Sequence, residues 1–452
     1  MRTRNRWQPA PGWSRRDFLR TLGVGGAALM VPARLRASGN PDVVVIGAGA
    51  AGIAAARALA ERGLAVRVLE AASRPGGRAF TESQTFGVPF DHGASWITSA
   101  TENPHTALAR QHGFELIDYS EARESLFVGD REAGDEEYEQ YYDAFDAING
   151  NIKAAVWSGQ DRAASTVVPD VPFARTAQTW IGPLDLGVDF EDLSTVDYWN
   201  GASVTPTYLV GRGYGALVGR LANRVPVDLD SPVSRIEWGG KGVRVHSSRG
   251  VMKARACIVT VSTGVLNAGH IVFDPVLPDW KQQAINDLPM GLLAKIALQF
   301  DGTRFDLPEN SWLTRKVTEP LPAEAAFFTC WPSGFDLMVG FVGGQFGFEL
   351  SRAGADAAID FARGELRKLF GSEVDRHFVK GTLTDWADNP LTLGAYAAAR
   401  PSRANARDDI VEPLGGRVFF AGEACAGAYL ATCGGAHKSG AGVAERVATV
   451  LA

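Results

Sequence analysis

Four apolar residues, Val43 to Ile46, run directly into Gly47, Gly49 and Gly52, and an alanine-rich stretch follows to Glu61. This junction limits the possible fold more than any other feature of the chain. A short, wholly apolar run is the pattern of a strand buried on both faces of a parallel sheet, and alanine is the strongest helix former. Gly47 permits a sharp turn, Gly49 lets backbone approach a pyrophosphate, and Gly52 lets the helix pack close to the strand. Ala51 lies in the first helical turn, where free N–H groups point at phosphate. A second apolar strand, residues 65–69, ends at Glu70 and Ala71. An acid there accepts hydrogen bonds from a ribose diol. The pattern predicts an α/β dinucleotide-binding domain on a parallel sheet, and the carboxylate at position 70 disfavours NADP.

The segment Arg74-Pro75-Gly76-Gly77-Arg78 separates FAD from NAD. It matches an element that follows the second strand in one large class of FAD enzymes. Gly76 and Gly77 allow backbone approach, and Arg74 and Arg78 bring positive charge, with Arg78 expected to neutralise the pyrophosphate. The alternative reading is a surface loop with two exposed arginines.

With 452 residues, the chain is long enough for two or three domains. Its 46% apolar and 21% charged residues are those of an ordinary globular protein. The net charge of −6, with no basic cluster in the globular part, argues against a nucleic-acid partner. Ser14-Arg15-Arg16-Asp17-Phe18-Leu19 reads as a twin-arginine export signal, which implies the twin-arginine machinery as a partner and a periplasmic or secreted location. The apolar stretch from Thr21 to Val31 is too short to span a bilayer. Ala33 and Ala37 are both candidate cleavage positions. Cys257, Cys330, Cys425 and Cys433 allow up to two disulfides with three pairings, and a core of this size needs none. No Cys/His cluster has metal-ligand spacing, so no metal is expected. The acidic run from Asp135 to Asp146 reads as a solvated helix face, with a gate for a polycation as the alternative.

Further motifs follow in order: Asp91-His92-Gly93-Ala94-Ser95-Trp96, Gly211-Arg212-Gly213-Tyr214-Gly215, Ser231-Pro232-Val233, Leu288 to Ile296, Trp386 with Gly394-Ala395-Tyr396, and Phe420-Ala421-Gly422-Glu423. Together they resemble the flavin-containing amine oxidase family of monoamine oxidases, polyamine oxidases and histone lysine demethylase flavoenzymes. The resemblance implies a Rossmann-like FAD-binding domain with a discontinuous α+β substrate domain. Residues 1–39 would be signal and linker. Residues 40–98, 205–290 and 381–452 would form the FAD domain, and 99–204 and 291–380 the substrate domain. It also implies roles: the Val233 backbone at the adenine, Gly422 and Glu423 at the ribityl chain, and Ser95, Trp96, Thr432 and Cys433 along the flavin. Lys295, a charge in an apolar strand, would hold a water at flavin N5. His92 and His437 read as structural or close to the pyrophosphate, not as bases.

Departures from the family pattern narrow the reading. Ala395 stands where monoamine oxidases carry a flavin-linking cysteine, so FAD is expected to be non-covalent. Tyr396 matches the first tyrosine of the amine cage and Thr432 replaces the second, leaving Tyr396 and Trp386 as the aromatic faces for a longer or substituted amine. Thr98 stands where vertebrate polyamine oxidases place a histidine. The expected activity is hydride transfer from a polyamine or other secondary amine, with dioxygen reduced to hydrogen peroxide. The alternatives are a dehydrogenase passing electrons to a periplasmic cytochrome, a desaturase or porphyrinogen oxidase, and a flavoprotein binding module without turnover.

Overall fold

A computed structural model describes residues 40–201 and 205–452. The twin-arginine motif lies outside the described residues.

Strand β1 (Val43–Ile46), helix α1 (Ala50–Glu61) and strand β2 (Val66–Leu69) form the expected βαβ unit. Strands β3 (Val227–Asp228), β4 (Ala256–Val259) and β5 (Val418–Phe420) complete a five-stranded sheet in the order β3-β2-β1-β4-β5. Every pairing is parallel, with Val43 opposite both Val66 and Ala256 and Cys257 opposite Val418. Three distant parts of the chain therefore share one sheet. Both its faces are covered, which is why β1 needs no polar residue. On one side α1 and the C-terminal helix α2 (Cys433–Leu451) bring Ala51, Ala55, Leu59, Val443 and Val447 against Val43 and Val45. On the other side Ile236, Val243 and Val245 of an antiparallel sheet pack against Val44 and Ile46. Each buried Val, Leu or Ile among them stabilises the fold by about 1.5–3 kcal/mol.

The second large sheet has seven strands in the order Phe378–Leu383, Leu293–Phe300, Leu337–Gly343, Phe327–Cys330, Ser311–Arg315, Glu124–Val128, Arg131–Glu132. Glu124–Val128 arrives from far upstream and pairs parallel to Ser311–Arg315. The helix Ala355–Phe370 covers this sheet with Ala358, Ala362 and Leu366.

The acidic run lies on the helix Asp135–Trp157. Tyr141, Ala144, Ile148 and Ile152 form its buried stripe, while Asp135, Glu136, Glu139, Asp143 and Asp146 are exposed. Asp135, Glu136 and Glu137 also complement the helix dipole in the first turn. All four cysteines are free thiols. Among the described residues no helix is long and apolar enough to cross a membrane, and no group of three His, Cys, Asp or Glu could hold a metal.

Candidate active site

The cofactor cleft opens at the C-terminal ends of β1 and β2. Gly47 turns the chain at φ +104°, and a Cβ on Gly52 would lie 1.9 Å from the Gly47 carbonyl oxygen, so neither position accepts a side chain. The loop of Arg74 to Arg78 folds onto this turn: Gly76 N donates to Ala48 O at 2.8 Å, and Gly49 bridges Gly76. The Glu70 carboxylate accepts from Ala48 N at 2.6 Å and from the amide of Ala72, the residue after Ala71, at 2.8 Å. A carboxylate has about four acceptor sites, which leaves capacity for a ribose diol. Ser231 N donates to Glu70 O at 2.8 Å, which brings Val233 to the same edge.

The two arginines differ in task. Arg74 donates to Gly77 O at 3.0 Å and lies over the Phe80 ring at 3.8 Å, so it organises its own loop. Arg78 reaches across the cleft. It donates to Ala395 O at 2.7 Å and to the Glu423 carboxylate at 3.0 Å. Glu423, buried just after Gly422, also accepts from Ala397 N at 3.1 Å. Residues read from sequence as separate pyrophosphate and ribityl contacts are thus partners.

Lys295 is buried and lines a cavity with Asp91, Ser95, Trp96 and Phe341. Its Nζ donates to Asp91 O at 2.8 Å, Gly93 O at 2.6 Å and Ser95 Oγ at 2.6 Å. Burial lowers its pKa to about 8, with the Asp91 carboxylate acting in the opposite direction. The ammonium group therefore holds the turn that carries Ser95 and Trp96. The Trp96 ring stacks on Trp312 at 5.5 Å, and its Nε1 is buried without a protein partner. Thr432 caps α2: its Oγ1 accepts from Gly435 N at 2.9 Å and donates to Tyr429 O at 2.7 Å. The cap fixes the start of the first turn of α2, which carries the partly accessible Cys433.

The Tyr396 hydroxyl donates to Leu184 O at 2.8 Å. Trp386 is only 5% exposed and its Nε1 donates to His92 O at 2.9 Å, so it packs behind the turn of Gly93. Leu184 belongs to a π-helical turn, Trp180–Leu186, a rare form common at functional sites. The next residue, Asp185, is exposed and acts electrostatically on both Tyr396 and Tyr198. Burial, then the charges of Asp185 and Glu423, hold the Tyr396 phenol well above its ordinary pKa. Trp180 stacks on Phe327 at 5.2 Å and meets Trp312 edge-on at 4.9 Å, extending the aromatic wall from Trp96.

Sequence reasoning missed Asp185, Trp180, Trp312 and the buried pair Arg407–Asp197. A charge inside the otherwise apolar run Ile181–Leu186 was a usable signal for Asp185. No local pattern marks the others.

The arrangement fits FAD on its own geometry. A Cβ on Gly49 would meet nothing within 4 Å, which leaves room above the fingerprint for a pyrophosphate. The buried indole N–H of Trp96 has no protein partner, and the N-terminus of α2 offers free backbone N–H groups. Comparison with known proteins agrees. A family model described as flavin containing amine oxidoreductase matches residues 50–156 and 197–448. Polyamine oxidase 4 of Oryza sativa subsp. japonica is 29% identical over 94% of this chain and 92% of its own length. Lysine-specific histone demethylase 1B of Mus musculus is 27% identical over 90% of this chain, which spans 53% of that relative. The fold is that of wild-type putrescine oxidase bound to putrescine, with TM-score 0.75 and 20% identity over 90% of this chain and 98% of that one. The chain belongs to the family of flavin-containing amine oxidoreductases.

Proposed function

We propose that this enzyme oxidises a secondary amine or polyamine to an imine, with dioxygen as the final acceptor and hydrogen peroxide as co-product. One observation supports the choice of substrate: the exposed Asp185 lies within electrostatic reach of Tyr396, whose hydroxyl bonds the neighbouring Leu184 O. A small amine has one cation to place, and a polyamine has a second that the Asp185 carboxylate would accept. When bound, FAD supplies the hydride acceptor. Gly49, Glu70, Arg78, Val233 and Glu423 would hold it, and Ser95, Trp96 and Cys433 would line its redox end. Tyr396 and the aromatic wall would orient a neutral amine and exclude water. Lys295 would keep the Ser95 turn in register and favour reduction of dioxygen through its charge.

The discontinuous division into 40–98, 205–290 and 381–452 against 99–204 and 291–380 is part of this reading, supported by the strands that the first set contributes to one parallel sheet. So is twin-arginine export through Arg15 and Arg16. Cell fractionation of the full chain and of an Arg15→Lys, Arg16→Lys variant tests it, and equal periplasmic yield would defeat it.

The substrate test is anaerobic mixing of the yellow protein with spermine, spermidine, putrescine, tyramine, nicotine and an L-amino acid. Bleaching by polyamines, with fast recovery and peroxide in air, is the expected result. Slow recovery in air would favour a dehydrogenase that feeds a cytochrome. Bleaching by tyramine alone would overturn the polyamine assignment.

A further inference from the structure

His105 is wholly buried, and neither of its ring nitrogens is idle. Nδ1 lies 2.6 Å from the Tyr214 hydroxyl, and Nε2 lies 2.9 Å from Nδ1 of His437. The Tyr214 hydroxyl in turn bonds the Cys433 thiol, at the first turn of α2. Cys433 and His437 stand one turn apart on that helix, so the four groups form a loop that leaves the helix and returns to it. Both ends are partly accessible: Cys433 lies within electrostatic reach of Arg78 and Asp91, and His437 within reach of Arg57 on α1.

Each member both donates and accepts. In one arrangement Tyr214 donates to His105 Nδ1, His105 Nε2–H donates to His437 Nδ1, and His437 keeps its other proton on Nε2. In the reverse arrangement every bond points the other way, and Tyr214 donates to Cys433. The two differ by one proton carried along the chain, and neither places a net charge in the interior. Burial lowers His105 far below the ordinary histidine range, with His437 adding to the effect. Burial, then Arg57, lowers His437 to about 4. The other charges that bear on the loop are Asp91, on Tyr214 and Cys433, and Arg78, on Cys433. Both imidazoles are therefore neutral at neutral pH, as such a chain needs.

We propose that Cys433, Tyr214, His105 and His437 form a proton relay between the cofactor-facing end of α2 and solvent. The proposal rests on amine oxidation at this site. A protonated secondary amine and dioxygen become an iminium ion and hydrogen peroxide. The substrate carbon gives up a hydride and its nitrogen a proton, and both hydrogens end in the peroxide. The proton is released before the carbon is oxidised and needed only after dioxygen arrives. The relay passes it outward to His437 and returns one later, leaving its four members as they began.

The test uses the holoenzyme with ¹⁵N-labelled histidine, and only seven histidines need resolving. The expected signals of His105 and His437 lie between those of the two neutral tautomers, and Tyr214→Phe moves both to one fixed tautomer. Each histidine in a single tautomer, unchanged by Tyr214→Phe, would overturn the relay. A second arm uses His437→Gln, whose amide still bonds His105 but does not pass a proton on. Its FAD affinity and melting temperature should match the wild type, while its proton-coupled step slows by about 100-fold and recovers with added imidazole. Wild-type rates in this variant would also refute the proposal. The tautomer signals need no substrate, so a failed amine assignment leaves them readable.

Discussion

Arg407 and Asp197, 210 residues apart in sequence, form a two-point ion pair with side chains 8% and 1% exposed. The same pair reaches the site from behind: Arg407 donates to Ala397 O at 2.8 Å and Ala424 O at 3.2 Å, and Asp197 accepts from Ala399 N at 2.8 Å. It fixes the short strand of Tyr396 and the turn of Glu423 against the helix Thr195–Asn200. Asp197→Ala leaves a buried guanidinium without its counter-ion and should cost about 3–5 kcal/mol. Urea unfolding of the holoenzyme measures this, and a loss below 1 kcal/mol would show that the pair is dispensable.

Lys295→Met removes the positive charge next to Ser95. Reoxidation by dioxygen should slow by about 100-fold while anaerobic reduction by substrate changes much less, since the lost hydrogen bonds to the Ser95 turn bear on both half-reactions and the lost charge only on the oxygen step. Stopped-flow traces of the two half-reactions separate these effects. Equal slowing of both would reduce Lys295 to a structural support.

Asp185→Asn keeps the shape of the π-helical turn and removes its charge. KM for polyamines should rise by about fivefold, worth about 1 kcal/mol, with KM for monoamines and kcat unchanged. Steady-state peroxide assays across both substrate classes read this directly.

Ala395 offers no sulfur for a flavin bond. Acid precipitation of the yellow holoenzyme should therefore leave all FAD in the supernatant and a colourless pellet. A yellow pellet would mean covalent attachment through another residue.

His437 adds a pH dependence to stability whose sign is fixed. Its pKa is lowered to about 4 in the fold and is near 6.5 when unfolded, so between these values the unfolded chain binds more protons. The stability is present above pH 6.5 and is lost as pH falls toward 4. His437→Gln should flatten this part of the unfolding free-energy profile relative to wild type, measured by urea titration at several pH values.

The βαβ unit was legible because its instructions are local. Val43 to Ile46 have no polar side chain to present to water, Gly47 alone tolerates the turn, and Gly52 alone fits under the Gly47 carbonyl. The helix of Asp135, with its acidic face, and the strand of Lys295, an apolar run, were equally readable from local composition. The pairing of Arg78 with Glu423 was not, because each residue separately suits a cofactor contact and nothing in either segment names the other.

Sequence by itself determined the nucleotide-binding scaffold and the family pattern, since these depend on residue type and short spacing. Only tertiary structure decided that Thr432 spends its hydroxyl capping α2, that Asp185 stands beside Tyr396, and that Arg407 clamps Asp197. It also joined His437, read from sequence as structural or close to the pyrophosphate, to His105 and Tyr214 in one hydrogen-bonded chain. Such contacts join segments hundreds of residues apart, and their energies come from burial and geometry that exist only once the sheets have packed.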